Sequence, residues 1–199
     1  MIRARFVPAS PFARKCRVAA AHLGLMDRVA FVDSPDDPED ALRKHNPLNK
    51  IPVALLDDGT ALYDSPVILE YFDHLAGGGG IIPREPGPRF RALTMQALAD
   101  GLMDAAVLIT YESRYREPHQ ASAKWLSMQR GKVDAALAAA ESSPPTGAID
   151  VGSIALACAL GYLDLRMNGE WRGAHPRLVK FLADFSARVP SYEATGAAK

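Results

Sequence analysis

The first third of the chain alternates between strand-like and helix-like patterns of hydrophobic residues. Apolar side chains alternate with arginines over residues 2–6, which is typical of a strand with one polar face. Ser10 and Pro11 then provide a serine N-cap with proline at the first helical position, and apolar residues recur at helical spacing over 12–23. The apolar run at 29–32 predicts a second, buried strand. A strand, a helix and a strand over this length predict a parallel pair joined by a right-handed crossover.

The same alternation continues to residue 75 and completes a small α/β unit. Residues 38–45 predict a short helix that the following Asn-Pro step ends. Two apolar runs at 52–56 and 61–63 flank an Asp-Asp-Gly-Thr turn, which is a strong hairpin signal. A second Ser-Pro helix start opens residues 65–75, whose apolar residues form one stripe. The order β-α-β, short helix, β-β-α predicts a thioredoxin-like fold.

Glycine and proline interrupt the chain after this unit, and strand-like patterns do not return. Four consecutive glycines at 77–80 and several prolines up to residue 88 predict a linker. Four helical patterns follow, separated by proline or glycine, at residues 90–116, 119–142, 150–166 and 176–188. The sequence therefore predicts an α/β thioredoxin-like domain at 1–76, a linker at 77–88 and an all-α helical bundle at 89–199. The tail after Pro190 is expected to be poorly ordered at its end.

The charge balance and the two cysteines narrow the classes of function. Lysine plus arginine and aspartate plus glutamate number 23 each, so the net charge is zero and we expect neither a nucleic-acid nor a membrane partner. Cys16 and Cys158 lack the spacing of a metal site or a dithiol centre, which leaves a disulfide or, as we expect, two buried free thiols. No metal is implied. A charged N-terminus and the lack of an uninterrupted apolar run of about 20 residues predict a cytoplasmic protein.

Three local patterns stand out in the sequence, and they are Ser-Pro-Phe-Ala-Arg-Lys at 10–15, Asn-Pro-Leu-Asn-Lys-Ile-Pro-Val at 46–53 and Leu-Tyr-Asp-Ser-Pro-Val-Ile-Leu-Glu-Tyr at 62–71. Taken together with the domain order, these patterns resemble the cytosolic glutathione transferase family over nearly the whole chain. The resemblance, to bacterial members of the serine type, implies a glutathione transferase active in detoxification. It also implies glutathione as a co-substrate with no further cofactor, a small hydrophobic electrophile as the second substrate, and a two-fold homodimer.

The resemblance also assigns the residues that hold glutathione. The bond before Pro52 is expected to be cis, so that the backbone of Ile51 pairs with the cysteinyl part of the tripeptide like an added strand. Asp64 is expected to bind the glutamyl ammonium, and Ser65 to cap the next helix and hold the γ-glutamyl carboxylate at its positive end. Lys50 matches a position near the cysteinyl-glycine end. The family usually has Glu or Gln where this chain has Asp64, which is shorter by one carbon.

Ser10, with Phe12 beside it in the same glutathione site, is the candidate for thiol activation. A thiol with a pKa near 8.5 is only about 3% thiolate at about pH 7, and lowering that pKa by two units requires about 2.7 kcal/mol. A hydroxyl that donates to sulfur at the N-terminus of a helix is a source of this energy. Phe6 stands where tyrosine-type members have their activating phenol, and the serine replaces the cysteine of thiol-transferase members. The alternative role of Ser10 is a structural N-cap.

The second substrate is expected between the domains, along the helix predicted at 90–116. Its candidate contacts, each of which has core packing or solvent exposure as the alternative, are Met103, Asp104, Tyr111 and Arg114. Trp125 and Met128 are interpreted as core residues. Beside conjugation and peroxide reduction, three functions remain open. They are glutathione-dependent isomerisation, dehalogenation, and a non-catalytic glutathione-binding or docking protein, for which the Asp64 departure leaves room.

Overall fold

The N-terminal part of the protein is a four-stranded sheet with helices packed on it, within the residues that the computed structural model describes, 1–33 and 39–197. Its elements are β1 (Ile2–Phe6), α1 (Pro11–His22), β2 (Val29–Asp33), α2 (Glu39–His45), β3 (Val53–Leu55), β4 (Ala61–Leu62) and α3 (Ser65–Leu75). The strand order is β2-β1-β3-β4, with β1 parallel to β2 and antiparallel to β3. The predicted thioredoxin-like fold is confirmed, while the predicted start of α2 at residue 38 lies outside the described residues.

Helices make up the rest of the described chain, as predicted. They are α4 (Pro86–Tyr115), α5 (Ala123–Ser142), α6 (Val151–Arg166), α7 (Pro176–Arg188) and α8 (Ser191–Ala194), with 3-10 turns at Pro118–Gln120 and Glu170–Ala174. α4 begins at Pro86 rather than at residue 90, because proline is well tolerated at the first helical position. α5 begins at residue 123 rather than 119, because Ser122 accepts a hydrogen bond from the Trp125 N–H at 3.3 Å and caps the helix there.

The chain after Pro190 forms helix α8, where the sequence predicts only a tail. Tyr192 is 4% exposed, and its ring packs edge-on against Phe185 with 5.6 Å between the centroids. Because the residues around Tyr192 are small and polar, the sequence shows no apolar helical pattern that would predict this packing. Residues 198–199, on which the prediction of a poorly ordered end falls, lie outside the described part of the chain.

The two halves of the protein share one main hydrophobic core, which surrounds α6. Residues 151–160 of α6 are all buried, and α4 and α5 pack around them. Val18 and Ala19 of α1 and Leu69 of α3 belong to the same cluster, so the N-terminal unit packs directly into the helical half. A second, smaller cluster lies between the sheet and the other faces of α1 and α3. Helix α1 therefore contributes buried residues to both hydrophobic clusters.

Asp73 fixes the path of the segment that joins the two halves. Its buried carboxylate accepts hydrogen bonds from the backbone N–H groups of Gly79 at 2.8 Å, Ile81 at 2.7 Å and Ile82 at 3.3 Å. These charge-assisted bonds satisfy a carboxylate that would be costly to bury alone. The glycine-rich segment is therefore tied to α3, and the two isoleucines enter the main core.

Helix α4 has the length and hydropathy of a membrane-spanning helix, a feature that the sequence analysis above did not predict. In the described chain it is the one helix long and apolar enough to cross a membrane by length and composition, with a mean hydropathy of 1.4 over 18 residues. The core helix of a globular protein gives the same signal. Leu102, Met103 and Ala106 of α4 are buried in the main core, which accounts for their apolar character.

The interpretation of Trp125 and Met128 as core residues is wrong. Their side chains are 38% and 48% exposed. The buried stripe of α5 begins at Gln129 and continues through Val133, so the first turn and a half of the helix extends beyond the packed region. A large apolar residue in an amphipathic pattern is not buried when its part of the helix has no partner.

The two cysteines are free and buried, and we expect them to be inert. Burial raises the pKa of Cys16 and of Cys158 to about 12, so hardly any reactive thiolate forms near neutral pH. A disulfide-based thiol reagent should therefore leave the native protein unmodified and should titrate two thiols after unfolding in denaturant. Rapid modification of native protein would contradict this, because it requires a local opening of α1 or α6.

Candidate functional site

Ser10 lies at the N-terminus of α1, where it is half-buried and caps the helix. Its Oγ accepts a hydrogen bond from the Ala13 N–H at 3.2 Å, and Pro11 follows at the first helical position. Among residues 1–33 and 39–197, no acceptor receives the hydroxyl proton. The hydroxyl therefore keeps its donor capacity at the positive end of a 12-residue helix, where a negative charge is stabilised.

Lys15 is completely buried under this helix start, which is rare for a lysine without a charged partner. Its Nζ pairs with Oδ1 of Asp100 on α4 at 2.5 Å and lies 5.9 Å from the centroid of the Phe12 ring. The pKa of Asp100 is raised, because burial outweighs the attraction of Lys15. The pair ties α1 to α4 directly beside Phe12.

The loop before β3 is held by the side chain of Asn46, for which the sequence predicted no hydrogen-bonding role. Its buried side chain donates to the carbonyl of Lys50 at 2.8 Å and accepts from the N–H of Leu48 at 3.0 Å. The Ile51–Pro52 peptide bond that follows is cis. The side chain of Lys50 is exposed and that of Ile51 is half-buried. In the sequence, the Asn-Pro step at 46–47 is the feature that indicates this loop.

The start of α3 differs from the prediction in which residue caps the helix. Asp64 occupies the N-cap position and makes no side-chain capping bond, and Ser65 is the first helical residue and only 2% exposed. The Tyr63–Asp64 peptide bond is also cis. The Asp64 carboxylate is exposed, so it is accessible to a cationic group at the positive end of the helix.

Charged residues from three elements interact in this region. The pKa of Asp104 on α4 is raised, chiefly by partial burial and further by Asp64, while Lys50 and Lys15 act in the opposite direction. Asp64 likewise contributes to the raised pKa of Asp100. The loop before β3, the start of α3 and the middle of α4 therefore meet around one set of charges.

The four residues predicted to line a second-substrate pocket do not lie together. Met103 is fully buried in the main core, so its side chain lines no open pocket. Tyr111 stacks edge-on with Tyr115 at 5.2 Å and lines a groove of about 560 Å³, and Arg114 lies 5.7 Å from the Tyr115 ring. A helical stripe identifies the residues on one face, but not where along the helix the neighbouring elements end.

A cavity of about 640 Å³ borders the N-terminal end of α1. Ser10, Arg14, Tyr162, Leu182 and Tyr192 are among its lining residues, so it borders the start of α1 as well as α6, α7 and α8. Because the sequence did not predict α8, it did not predict the side of the cavity that α8 forms. Within the described part of the chain, no group of three or more His, Cys, Asp or Glu residues is arranged to hold a metal ion.

Comparison with known proteins places these features in a family. Residues 9–75 match the family described as glutathione S-transferase, N-terminal domain. An Escherichia coli (strain K12) protein described as uncharacterized GST-like protein YibF is 32% identical over 186 residues, which cover 90% of this chain and 91% of that protein.

Solved structures resemble the protein over its whole length. A glutathione transferase family member from Pseudomonas fluorescens Pf-5, with bound glutathione, is 42% identical with a TM-score of 0.91 and coverage of 100% of both chains. A glutathione S-transferase from Methylobacillus flagellatus KT, with glutathione bound, is 33% identical with a TM-score of 0.92 and the same coverage. The identity and the extent of these matches, in sequence and in fold, show that the chain belongs to the glutathione transferase family.

Proposed function

We propose that this protein is a glutathione transferase in which Ser10 activates the glutathione thiol for addition to a small hydrophobic electrophile. The observation that carries the proposal is the Ser10 hydroxyl, which caps α1 as an acceptor and keeps its proton available at the positive end of the helix. A hydroxyl in this position can donate to a thiolate without giving up the cap, since the two bonds use different parts of the group.

The loop before β3 and the start of α3 support a glutathione site that matches the three parts of the tripeptide. Ile51 offers backbone groups to the cysteinyl part, and the exposed Lys50 offers a cation to the glycyl carboxylate. The exposed Asp64 offers a partner to the glutamyl ammonium, and the start of α3 at Ser65 offers N–H groups to the neighbouring carboxylate. The structural relatives with bound glutathione support glutathione as the ligand.

The proposed reaction has two steps. Glutathione loses its thiol proton to solvent, and the thiolate is stabilised by the Ser10 hydroxyl and the α1 N-terminus. The thiolate sulfur then attacks an electrophilic carbon, so that a C–S bond forms while the leaving group departs with its electron pair. With an organic peroxide, the thiolate attacks the terminal oxygen, the O–O bond breaks, and an alcohol leaves after taking up a proton from solvent. The glutathione sulfenic acid that results then reacts with the thiol of a second glutathione, which forms the disulfide and releases water.

The wider setting of the proposal follows from the family. We expect a cytosolic homodimer with a role in detoxification, in which the N-terminal unit of one subunit meets the helical half of the other. The second substrate is expected between the two halves beside Asp104, which interacts with Lys50 and Asp64, while Tyr111 and Arg114 lie further along α4. Size-exclusion chromatography with light scattering tests the dimer directly, and a monomer at micromolar concentration would contradict it.

The glutathione site is tested by replacing Asp64. Asp64→Ala should weaken glutathione binding by about 10-fold or more, because a hydrogen-bonded charge partner contributes about 1.5–3 kcal/mol. Asp64→Glu, which has the length usual in the family, should retain binding. Isothermal titration calorimetry measures the Kd, and Asp57→Ala is the matched control, since Asp57 is an exposed aspartate of the same unit that pairs with the N-terminal amine.

Two outcomes would overturn the proposed function. If the parent protein is not retained on immobilised glutathione and shows no saturable thermal shift with glutathione, the protein is not a glutathione transferase. If it binds glutathione but converts neither a chloro-nitroaromatic compound nor an organic peroxide, the catalytic part of the proposal is wrong and a binding role remains.

A further inference from the structure

Helix α8 is fastened to the same helix that carries Ser10. Arg14 of α1 donates from Nη2 to the carbonyl of Tyr192 at 2.7 Å, and its guanidinium carbon lies 4.0 Å from the centroid of the Tyr192 ring. Three residues further along α1, Arg17 donates to the carbonyl of Thr195 at 3.3 Å. Two successive arginines of α1 therefore hold one short segment, residues 192–195, which we refer to as the C-terminal latch.

Tyr192 also joins the latch to α6. Its hydroxyl donates to the carbonyl of Ala157 at 3.1 Å, and burial raises the pKa of Tyr192, so the hydroxyl remains a donor. The space for this hydroxyl and for Arg14 exists because residue 161 is glycine. A Cβ at Gly161 would overlap the Tyr192 hydroxyl and lie 2.5 Å from Nη1 of Arg14.

We propose that the C-terminal latch is a positioning element for Ser10, so that the contact of Tyr192 with Arg14 sets how strongly the protein activates the glutathione thiol. Arg14 follows Ser10 by one helical turn, and its N–H donates to the Ser10 carbonyl at 3.0 Å. The neighbouring Lys15 points to α4 and Arg14 points to α8, so the first turn of α1 is held from two sides. The catalytic consequence rests on the proposed function.

Holding the helix from two sides matters because thiol activation depends on a short donor distance. A rotation or shift of the first turn of α1 by about 1 Å moves the Ser10 hydroxyl out of hydrogen-bond range, and misplacement of that size costs up to about 100-fold in rate. Among the described residues, the hydrogen bonds that join the latch to other helices go to α1, α6 and α7, and none goes to Lys50, Ile51, Asp64 or Ser65. Loss of the latch should therefore change thiol activation far more than glutathione affinity.

Gly161→Ala is the most selective test. The added methyl group collides only with the far ends of the Tyr192 and Arg14 side chains, which must move, and alanine in a helix interior favours α6 by about 1 kcal/mol relative to glycine. The variant should thus open the latch without unfolding the protein. We expect faster hydrogen exchange in residues 11–17, a pKa of the bound thiol raised by about one unit, and kcat/KM reduced about 10-fold, with glutathione Kd within about 2-fold of the parent.

Two further variants separate the latch from general stability. Tyr192→Phe keeps the ring over Arg14 and loses only the hydroxyl bond to Ala157, so we expect a smaller change in the same direction. Phe181→Leu is the control for general stability, because it weakens the main hydrophobic core at α7 and changes no residue of α1 or of the latch. The ring of Phe181 packs on that of Phe185 with 6.0 Å between the centroids. This variant should lower the melting temperature and leave the pKa of the bound thiol, measured by ultraviolet absorption of the thiolate, unchanged.

The outcomes distinguish the latch from the proposed function. Unchanged exchange in α1 and an unchanged thiol pKa in Gly161→Ala would overturn the positioning role. So would an equal rise of the thiol pKa in Phe181→Leu. If the parent protein fails to bind glutathione, the proposed function and the catalytic consequence fail together. The exchange measurement would then still decide whether the latch holds the first turn of α1.

Discussion

Replacing Ser10 by alanine is expected to lower kcat/KM for a chloro-nitroaromatic substrate by about 100-fold, with glutathione affinity nearly unchanged. The basis is the size of the activation: a thiol pKa lowered by two units corresponds to about 2.7 kcal/mol. The hydroxyl supplies a large part of this energy if it donates to the sulfur. Steady-state kinetics, together with a pH titration of the bound thiol by ultraviolet absorption, measures both effects.

The capping role of Ser10 must be separated from this effect, because loss of an N-cap also costs about 1 kcal/mol of stability. Ser122 is a matched control: its hydroxyl caps α5 with a 3.3 Å bond from Trp125 N–H, nearly the same distance as the 3.2 Å bond at Ser10. Ser122→Ala should lose similar stability and no activity, and Ser10→Thr should retain both. A Ser10→Ala protein with an unaltered thiol pKa would mean that Ser10 is only a cap.

The thioredoxin-like fold was predictable because its signals are local. Alternating residues over 2–6, the Asp-Gly turn at 57–60 and the Ser-Pro helix starts each act within a few residues of chain. The prediction of Ser10 as a cap belongs to the same class, since a cap depends on the three residues that follow it. These features depend on neighbouring residues, so they can be predicted without knowing how the second half of the chain packs.

The features that the sequence did not predict correctly, or did not predict at all, depend on distant parts of the chain. Lys15 is buried only because Asp100, 85 residues later, meets it at 2.5 Å. Met103 and Tyr111 belong to one helix, yet one lies in the core and the other in an open groove, according to where α5 and α6 end. α8 is ordered by Arg14, which precedes Tyr192 by 178 residues. Helical periodicity indicates a face and gives no partner for it.

Breaking the buried ion pair between Lys15 and Asp100 is expected to cause the largest loss of stability. Asp100→Asn leaves the ammonium of Lys15 without its countercharge although that side chain is 0% exposed. Removing one partner of a buried pair costs about 3–5 kcal/mol. For a protein of this size, each kcal/mol lowers the melting temperature by about 2–4 °C, so we expect a fall of about 6–20 °C. Urea denaturation measures the same loss as a free energy of unfolding.

The exposed pair of Lys180 and Asp184 provides the comparison, because it has the same residue types at 2.6 Å with side chains 75% and 57% exposed. Asp184→Asn should cost less than about 1 kcal/mol, since water solvates both groups. The double variant Lys15→Met with Asp100→Leu should regain most of the loss, because it removes the uncompensated charge rather than the contact area. Equal costs at Asp100 and Asp184 would contradict this expectation and would mean that other nearby charges, such as Asp104, compensate Lys15.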